Sequence, residues 1–509
     1  MLVLFLPLFL ILLLVGVPVF FAMLAAPGAM LLAEGMDRDL ALMYRNIYNG
    51  IDSFPLMAIP FFMLAGELMN RGGITLRLVS FSQALIGQLR GGLAHVNILS
   101  SMLFAGLSGS AVADTSALGS MLIPAMEKNG YSRKFAAAVT AASSVIGPII
   151  PPSGIMIIYA YVMEVSVAAL FAAGIIPGAL VGLGLMGATA LMARSGDFPV
   201  AGRGLDRPEA LAPPAPRENW LARGLAVLML GVVLADVIRR MLPGDAVAQT
   251  GSGAVATGAA NFASGWVGFA IACVLALGLL LLLRPTLSVP FRNVAKRAVL
   301  PLLTPIIILG GILGGVFTPT EASAVAAFYA LVIGLFVLGT LRWGDLPGVF
   351  TRSALTSAVV LLLVGAAMAF KTVVSLSRVA EEMAEWILTL SANPLILLFL
   401  INLLLFIVGM FLDAGPAIII LGPILGPIFV EMGVDPIHFA IIMSVNLTVG
   451  LATPPMGLVL FVASSVSGER VETIAKAILP FLAVEVAVIF LITYVPWISM
   501  TVPRWLGLA

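Results

Sequence analysis

The sequence predicts an all-α polytopic membrane protein built from two related halves. Its 509 residues are 61% hydrophobic and only 10% charged, and the mean hydropathy of +1.14 is far above that of a water-soluble domain. The chain contains roughly a dozen apolar runs or half-runs close to the ~20 residues that a helical span requires. Because polar and apolar residues do not alternate in these runs, they are helices rather than the strands of a membrane barrel.

Two glycine- and proline-rich stretches share one spacing, which relates the two halves. Shifting Gly106 onto Gly409, an offset of 303 residues without gaps, makes eight glycines and prolines coincide. The coincident pairs are Gly106 with Gly409, Gly119 with Gly422, Pro124 with Pro427, Gly130 with Gly433, Gly147 with Gly450, Pro151 with Pro454, Pro152 with Pro455 and Gly154 with Gly457. Interrupted apolar segments at matching places in two halves indicate the binding site of a secondary transporter.

The first segments are identified by their apolar length. Residues 2–32 make one long span with bends at Pro7 and Pro18, rather than a cleaved signal, because no basic region precedes the apolar run. Residues 54–69 make the second span. The mildly basic, glycine-rich stretch 70–92 is predicted to lie in the membrane interface.

Two interrupted elements occupy the centre of the first half. Ser-Gly-Ser at 108–110 offers a turn, so residues 93–126 are predicted to form a hairpin that enters the membrane and returns. Residues 135–163 are predicted to be a transmembrane helix unwound at GPIIPPS, because its three prolines cannot continue a helix. A further span covers residues 165–193.

A linker and an insertion separate the halves. Residues 194–220 are polar and proline-rich, and five arginines make this region a candidate cytoplasmic loop by the positive-inside rule: Arg194, Arg203, Arg207, Arg217 and Arg223. The apolar runs 221–238 and 266–283 match nothing in the first half. They predict a peripheral helical pair within an insertion over 196–285.

The second half begins near residue 291 and repeats the broken pattern. The stretch VFTPTEAS interrupts one span and places Glu321 within the membrane, and the span 354–376 contains Lys371. The hairpin, the unwound helix and a last span then follow in order: 394–430, 437–466 and 477–500.

The residue types at the breaks favour a cation and an anion together. Serine and threonine hydroxyls, with carbonyls freed by glycine and proline, are hard neutral oxygen ligands that suit Na⁺, whereas Ca²⁺ prefers several carboxylates. The N-termini of half-helices favour an anion. The alternative interpretation is that the small residues only allow close helix packing. The second copy of the pattern at the same offset argues against this alternative.

The acidic residues within apolar runs are the other candidates. Asp114 and Asp413 lie beside the breaks and are functional candidates, with N-capping of a half-helix as the alternative. Glu321 is expected either to cap a helix or to pair with Lys371. Ordinary capping, surface or structural roles are expected for the remaining acids and histidines: Glu67, Glu164, Glu485, His95 and His438.

Several classes of protein are excluded or disfavoured. The net charge of +1 argues against a nucleic-acid partner, and the single cysteine, Cys273, cannot form a disulfide within the chain. Two histidines make a histidine-rich metal site unexpected. Neither a complete GxSxG nor a GxxxxGK[ST] motif occurs, so an ion gradient or a partner must supply the energy for uphill transport.

Three motifs resemble a known family. These are GLSGSAVADTSALGSMLIPAMEKNGYSRKFAAAVTAASSVIGPIIPPS, GGVFTPTEASAVAAFYA, and MFLDAGPAIIILGPI followed by NLTVGLATPPMG. They are similar to the large membrane subunit of tripartite ATP-independent periplasmic (TRAP) transporters. The resemblance covers roughly residues 1–193 and 291–500.

The resemblance implies a function and partners. It implies an inverted-repeat, elevator-type secondary transporter of the bacterial inner membrane, with two re-entrant helical hairpins and two unwound transmembrane helices. Members take up organic acids such as dicarboxylates, keto acids or sialic acid together with Na⁺. They act with a periplasmic solute-binding protein and a small four-helix membrane subunit, which is expected here as a separate chain.

The resemblance also assigns roles to residues. It implies a first Na⁺ site at Ser108, Ser110 and the backbone of Gly147, Ile150 and Pro152. A second Na⁺ site is implied at the Asp413 loop with Gly450, Thr453 and Met456. Residues implied at the solute pocket are Ser110, Asp114, Pro151, Ser153, Asp413 and Thr453.

The same resemblance divides the chain. The elevator core is expected at 93–163 and 394–466, with scaffold helices at 1–92 and 286–393. The remaining segments are a connecting span at 164–195, the insertion at 196–285 and the C-terminal span at 467–509. The insertion is longer than expected for a common family member.

Two other functions remain open from the residues alone. An intramembrane enzyme could use Asp114 and Asp413 as an aspartyl pair, provided that the two carboxylates meet. A proton-coupled organic-anion carrier of a related fold could use Glu321 or one of the aspartates as its proton site.

Overall fold

The computed structural model describes residues 2–33, 35–87, 89–195, 289–376, 389, 391 and 393–508, and their regular structure is helical. Seven helices of the described chain are long and apolar enough to cross a membrane, or eight if a bent pair over 39–71 counts as one span. The inserted helical pair predicted within 196–285, four of the five linker arginines and Cys273 lie outside these residues.

The described helices fall in this order. The first ten are α1 (Leu2–Leu14), α2 (Val19–Ala33), α3 (Asp37–Ile51), α4 (Ala58–Arg71), α5 (Ile74–Ile86), α6 (Gly92–Ser108), α7 (Ala111–Lys128), α8 (Arg133–Ser144), α9 (Gly154–Met163) and α10 (Val167–Ser195). After the undescribed segment come α11 (Val289–Leu313), α12 (Pro319–Val332), α13 (Leu346–Leu376), α14 (Pro394–Phe411), α15 (Ala414–Glu431), α16 (Pro436–Gly450), α17 (Leu458–Ser467), α18 (Val471–Tyr494) and α19 (Trp497–Trp505).

The predicted single span over 2–32 is two helices. Helix α1 ends at Leu14, Gly16 adopts a φ of +89°, and α2 begins after Pro18. A glycine with a left-handed backbone conformation, followed two residues later by a proline, interrupts a helix. The two helices pack against each other.

The sequence repeat is a repeat of structure. Helix α7 covers Ala111–Lys128 and α15 covers Ala414–Glu431, so both ends coincide at the offset of 303 residues. The helices before and after them agree to within a few residues. Each repeat also contains one cis Pro-Pro bond, at Pro151-Pro152 and at Pro454-Pro455.

Helices α6 and α7 form a helical hairpin over the residues predicted, 93–126, while its entry into and return from the membrane stay a prediction. The Asn97 amide reaches the sulfur of Met126 at 3.8 Å near one end, and Ser108 donates to Asp114 near the other. The chain therefore reverses at Gly109, whose φ of +61° a residue with a side chain rarely adopts.

Helices α8 and α16 lie at the centre of the core. Every side chain from Phe135 to Ser144 and from His438 to Gly450 is buried. Polar side chains join them to their neighbours: Asn97 donates to Thr140 at 2.6 Å, Thr115 to Ser144 at 2.6 Å, and Asn446 to Asn402 at 2.6 Å. In an apolar surrounding such internal pairs satisfy groups that lipid cannot.

Helices α3, α4, α12 and α13 form a second set. Glycines allow α3 and α13 to approach, since a Cβ on Gly50 would come within 2.7 Å of Met368. The carboxylate of Glu67 on α4 lies 3.3 Å from both Arg71 and Arg352, which ties α4 to α13. This set faces the repeats.

Glu321 caps a helix and does not pair with Lys371. Its carboxylate accepts from the Thr318 backbone at 2.7 Å, and the Thr318 hydroxyl accepts from the Glu321 backbone, which is a capping box at the start of α12. Lys371 instead lies 2.8 Å from Glu164. The predicted Glu321–Lys371 pair is therefore wrong, and the capping alternative is confirmed.

The remaining acids and histidines have varied surroundings. His438 is buried between Ser499 and the Thr493 carbonyl, and His95 is also buried, as expected of structural histidines. Glu485 departs from its expected capping or surface role. It is fully buried in α18, and neither carboxylate oxygen has a hydrogen-bond partner in the described part of the chain.

Candidate functional site

The tip of the α6–α7 hairpin lies on the break between α8 and α9. A Cβ on Gly109 would come within 3.0 Å of the Pro152 carbonyl and 3.3 Å of the Gly154 nitrogen. This close approach of two backbones and the left-handed φ of Gly109 both favour a glycine. The two interrupted elements of the first repeat therefore form one site.

Asp114 lies buried beneath this tip. It is in the first turn of α7, has no exposed surface, and accepts a hydrogen bond from the Ser108 hydroxyl through Oδ1. Its Oδ2 has no partner in the described chain and faces Gly147, where a Cβ would lie 2.4 Å away. A buried carboxylate oxygen without a donor is costly, which marks this place as unusual.

The unwound segment after α8 presents free carbonyl oxygens. Within the residues that the structure covers, no donor is hydrogen-bonded to the carbonyls of Gly147, Ile150 or Pro152. The segment ends at Ser153, which caps α9 by accepting from the Met156 backbone at 3.4 Å. Hydroxyl, carbonyl and carboxylate oxygens thus concentrate around the tip.

The second break has fewer free oxygens. The Gly450 carbonyl accepts from the Thr453 backbone at 2.9 Å, and the Thr453 carbonyl accepts from Gly457 at 3.1 Å. The Thr453 hydroxyl donates to Val449, and Met456 is half exposed. Gly450 also packs on Gly409, since its Cβ would come within 2.6 Å of the Gly409 Cα. At this pair, close helix packing explains the glycines.

A cavity of about 480 Å³ separates the repeats from α4 and α13. Its lining includes Ser110 and Asp413, which are the N-caps of α7 and α15 at equivalent positions of the two repeats. Gly154, the first residue of α9, also lines it. Three helices therefore begin at the cavity, and the N-terminus of each has a positive partial charge.

The opposite wall comes from α4 and α13 and is apolar apart from one hydroxyl. It consists of Ile59, Met63, Leu355, Thr356, Val359, Val360 and Leu363. The sequence did not reveal these residues, because apolar side chains in a span look alike whether they face lipid or a cavity. The hydroxyl of Thr356 was no distinct signal either, because Ser353 and Ser357 lie on the same helix and do not line the cavity.

The residues expected at the solute pocket divide into two groups. Ser110 and Asp413 line the cavity together. The others lie behind the lining, where they are buried or held by the breaks: Asp114, Pro151, Ser153 and Thr453. No hydrogen bond of the described chain joins Asp114 to Asp413, so the two carboxylates do not form the pair that an aspartyl enzyme needs.

These features define a multi-pass membrane protein with a repeated helical core and a cavity between that core and the helices α4 and α13. The fold resembles that of the YdaH transporter of Alcanivorax borkumensis, with a TM-score of 0.55 over 92% of this chain and 90% of that one at 18% sequence identity. At this identity the likeness concerns the fold.

The chain belongs to the family of the DctM component of tripartite ATP-independent periplasmic transporters, whose model matches residues 6–258 and 253–498. It is 36% identical over 97% of its length to the isethionate TRAP transporter permease protein DctMQ of Oleidesulfovibrio alaskensis, of which it covers 65%. It is 34% identical over 93% of its length to the C4-dicarboxylate TRAP transporter large permease protein DctM of Pseudomonas aeruginosa, of which it covers 91%.

A third relative is the sialic acid TRAP transporter large permease protein SiaM of Vibrio cholerae, 33% identical over 97% of this chain and 96% of that protein. The chain is thus a large membrane subunit of a TRAP transporter. The family resemblance of the motifs is confirmed, and an intramembrane enzyme is excluded.

Proposed function

We propose that this chain imports a small organic acid across the bacterial inner membrane by Na⁺ symport. A periplasmic binding protein delivers the solute, and a small four-helix membrane subunit completes the permease. The three relatives support an organic anion as the solute, since isethionate, C4-dicarboxylates and sialic acid, for which they are named, are all anions of organic acids.

The observation that carries the proposal is the pair of helix starts at one cavity. Ser110 and Asp413 occupy equivalent positions of the repeats, cap α7 and α15, and line the same space. The helix starts favour the anionic group of a solute, while the serine hydroxyl is available as a donor. A symmetric pair of half-helices around a solute is a usual arrangement in secondary transporters.

The residues of the first break fit a monovalent cation. Within the described chain, Asp114 Oδ2 has no hydrogen-bond partner, and the carbonyls of Gly147, Ile150 and Pro152 accept no hydrogen bond. Together with the Ser108 and Ser110 hydroxyls they form an oxygen-only set with one negative charge, which suits Na⁺. A bound Na⁺ would supply the positive charge that balances the Asp114 carboxylate.

A second Na⁺ site is proposed at the Asp413 loop with Gly450, Thr453 and Met456. The structure supports this second site less than the first, because the Gly450 and Thr453 carbonyls already accept hydrogen bonds from backbone N–H groups. A carbonyl oxygen has two lone pairs, so each can still bind a cation.

An elevator movement is proposed between the repeats and the second helix set. The core of 93–163 and 394–466 contributes the helix starts, and α4 and α13 contribute the opposite wall of the cavity. Movement of the core along this wall would carry the bound solute across the membrane.

A proton is the alternative coupling ion. It is favoured by the buried Glu485, whose two carboxylate oxygens have no partner in the described chain. A carboxyl group in that place is less costly when protonated.

The experiment is uptake into proteoliposomes that contain this chain and its small subunit, with the binding protein outside and Na⁺ or choline present. Uptake is expected only with Na⁺ and the binding protein. Ser110→Leu is expected to abolish it, whereas Ser120→Leu, at an exposed position on the same helix, is not. Uptake that ignores Na⁺ and follows a pH step would favour the proton alternative.

A further inference from the structure

The residues that line the cavity define the chemical class of the solute more narrowly than membership of the family does. Among the residues that the structure describes, the polar side chains that line the cavity are Ser110, Asp413 and Thr356. The Thr356 hydroxyl already donates to the Arg352 carbonyl at 3.0 Å, and the Asp413 carboxylate accepts from Ala414 at 2.8 Å. Donors for a solute are therefore the Ser110 hydroxyl and the N-terminal amides of the helix starts.

No cationic side chain of the described residues lines the cavity. The basic residues of α4 and α13 lie away from the cavity and contact carboxylates: Arg71 and Arg352 lie against Glu67, and Lys371 lies against Glu164. The positive potential in the cavity then comes from helix starts, each equivalent to about half a charge. Asp413 opposes it with a negative charge.

The remaining wall offers nothing to an anion. Ile59 and Met63 face the cavity from α4, and Leu355, Val359 and Leu363 face it from α13. A carboxylate placed against these side chains would lose its water without gaining a donor, which is strongly unfavourable. An alkyl group there would instead be stabilised by burial.

We infer that the cavity takes a monoanionic acid with an apolar body, and that it discriminates against dicarboxylates. This inference rests on the proposed function, because it assumes that the cavity holds the transported solute. The anionic group lies at the helix starts, and the apolar body lies along α4 and α13. A cavity of about 480 Å³ is in the range of sites for small molecules.

The test compares hexanoate with adipate, which have the same six-carbon chain and differ by one carboxylate. Binding of each to the purified full-length chain in nanodiscs is measured calorimetrically in Na⁺ buffer. Signal that persists in Ser110→Leu is subtracted as partitioning into lipid. Hexanoate is expected to bind at least about tenfold more tightly than adipate, since the second carboxylate has no partner.

A designed variant is expected to remove the preference. Val359→Lys adds a cation to the apolar wall, and it is expected to raise adipate affinity about tenfold relative to hexanoate. Leu362→Lys is the control, because Leu362 is on the same helix at 43% exposure but does not line the cavity. This control is expected to keep the native ratio.

The outcomes separate the inference from the proposed function. Adipate binding as tightly as hexanoate to the native chain overturns the inference and leaves Na⁺-coupled uptake untouched. Specific binding of neither acid also overturns the inference, because a monoanionic acid with an apolar body then does not bind the cavity, while the proposed function is decided separately by the Na⁺-dependent uptake experiment. The native comparison decides the question even where Val359→Lys fails to fold.

Discussion

Asp114 is fully buried, and one of its carboxylate oxygens has no hydrogen-bond partner in the described chain. One of its oxygens accepts from Ser108, and the other faces Gly147 without a donor. An uncompensated buried charge destabilises a fold until a cation or a proton neutralises it. The folded chain is therefore expected to be more stable when the site is filled.

Asp114→Asn tests this expectation in two directions. Without Na⁺ the variant is expected to be as stable as the native chain or more stable, because the unpaired charge is gone. With saturating Na⁺ the native chain gains about 2.7 kcal/mol at a hundredfold excess over Kd, and the variant loses this gain. Thermal unfolding in detergent, with NaCl exchanged for choline chloride, measures both effects.

Asp435→Asn is the matched control for this substitution. Asp435 caps α16 by accepting from Ile437 at 2.8 Å, and asparagine is an equally good cap. Its response to Na⁺ is expected to equal that of the native chain. An unchanged Na⁺ response in Asp114→Asn would show that Asp114 is not part of a cation site.

At the scale of helices, Lys371 joins α13 to the end of α9. Its Nζ donates to the Val162 carbonyl at 2.7 Å and to Glu164 at 2.8 Å. The Glu164 side chain is 78% exposed, whereas that of Lys371 is 28% exposed. The carbonyl contact is therefore expected to contribute more than the ion pair, which water screens.

Substitutions at the two ends are expected to differ. Lys371→Met removes both contacts and is expected to lower the free energy of unfolding by about 1–3 kcal/mol, while Glu164→Gln costs less than about 1 kcal/mol. Arg133→Met, which breaks an exposed pair with Glu127, serves as a control of the smaller kind. Equal losses at Lys371 and Glu164 in thermal unfolding would assign the effect to the ion pair alone.

Many of the helix boundaries could be predicted from the sequence, because glycine and proline affect the backbone conformation at their own positions. The turn at Gly109, the break before Ser153 and the start of α12 after Thr318 were all visible as residues that cannot continue a helix. The repeat followed from the same residues. The division of 2–32 was missed because the role of Gly16 depends on its φ of +89°, which apolar length does not show.

The candidate site was predicted only on the side of the repeats. Ser110 and Asp413 could be identified from their motifs, but Leu355 and Val359 could not, since nothing local separates a wall of a cavity from a face toward lipid. The partner of Lys371 was missed for a similar reason. Glu164 is 207 residues away in the sequence, and its pairing depends on how α9 packs on α13.

The proposed elevator requires the repeats to move against α13. The Lys371–Glu164 contact joins these parts, and Glu164 directly follows α9. If the core moves, this contact exists in some states of the transport cycle and not in others. Fixing it covalently is then expected to stop transport.

A cross-link between Glu164→Cys and Lys371→Cys tests the movement. The substitutions are placed in a Cys273→Ser background, since Cys273 is the single cysteine of the chain. A short bifunctional thiol reagent is expected to abolish Na⁺-driven uptake in proteoliposomes. When the cross-linker is cleavable by reduction, its cleavage is expected to restore uptake.

The Glu127→Cys and Arg133→Cys pair is the control, because these partners lie 2.7 Å apart and both belong to the core. A cross-link there leaves the core free to move as a unit, so uptake is expected to continue. Efficient cross-linking of 164 to 371 with undiminished uptake would mean that α9 and α13 stay together throughout transport, and the cavity would then have to open by some movement within the repeats.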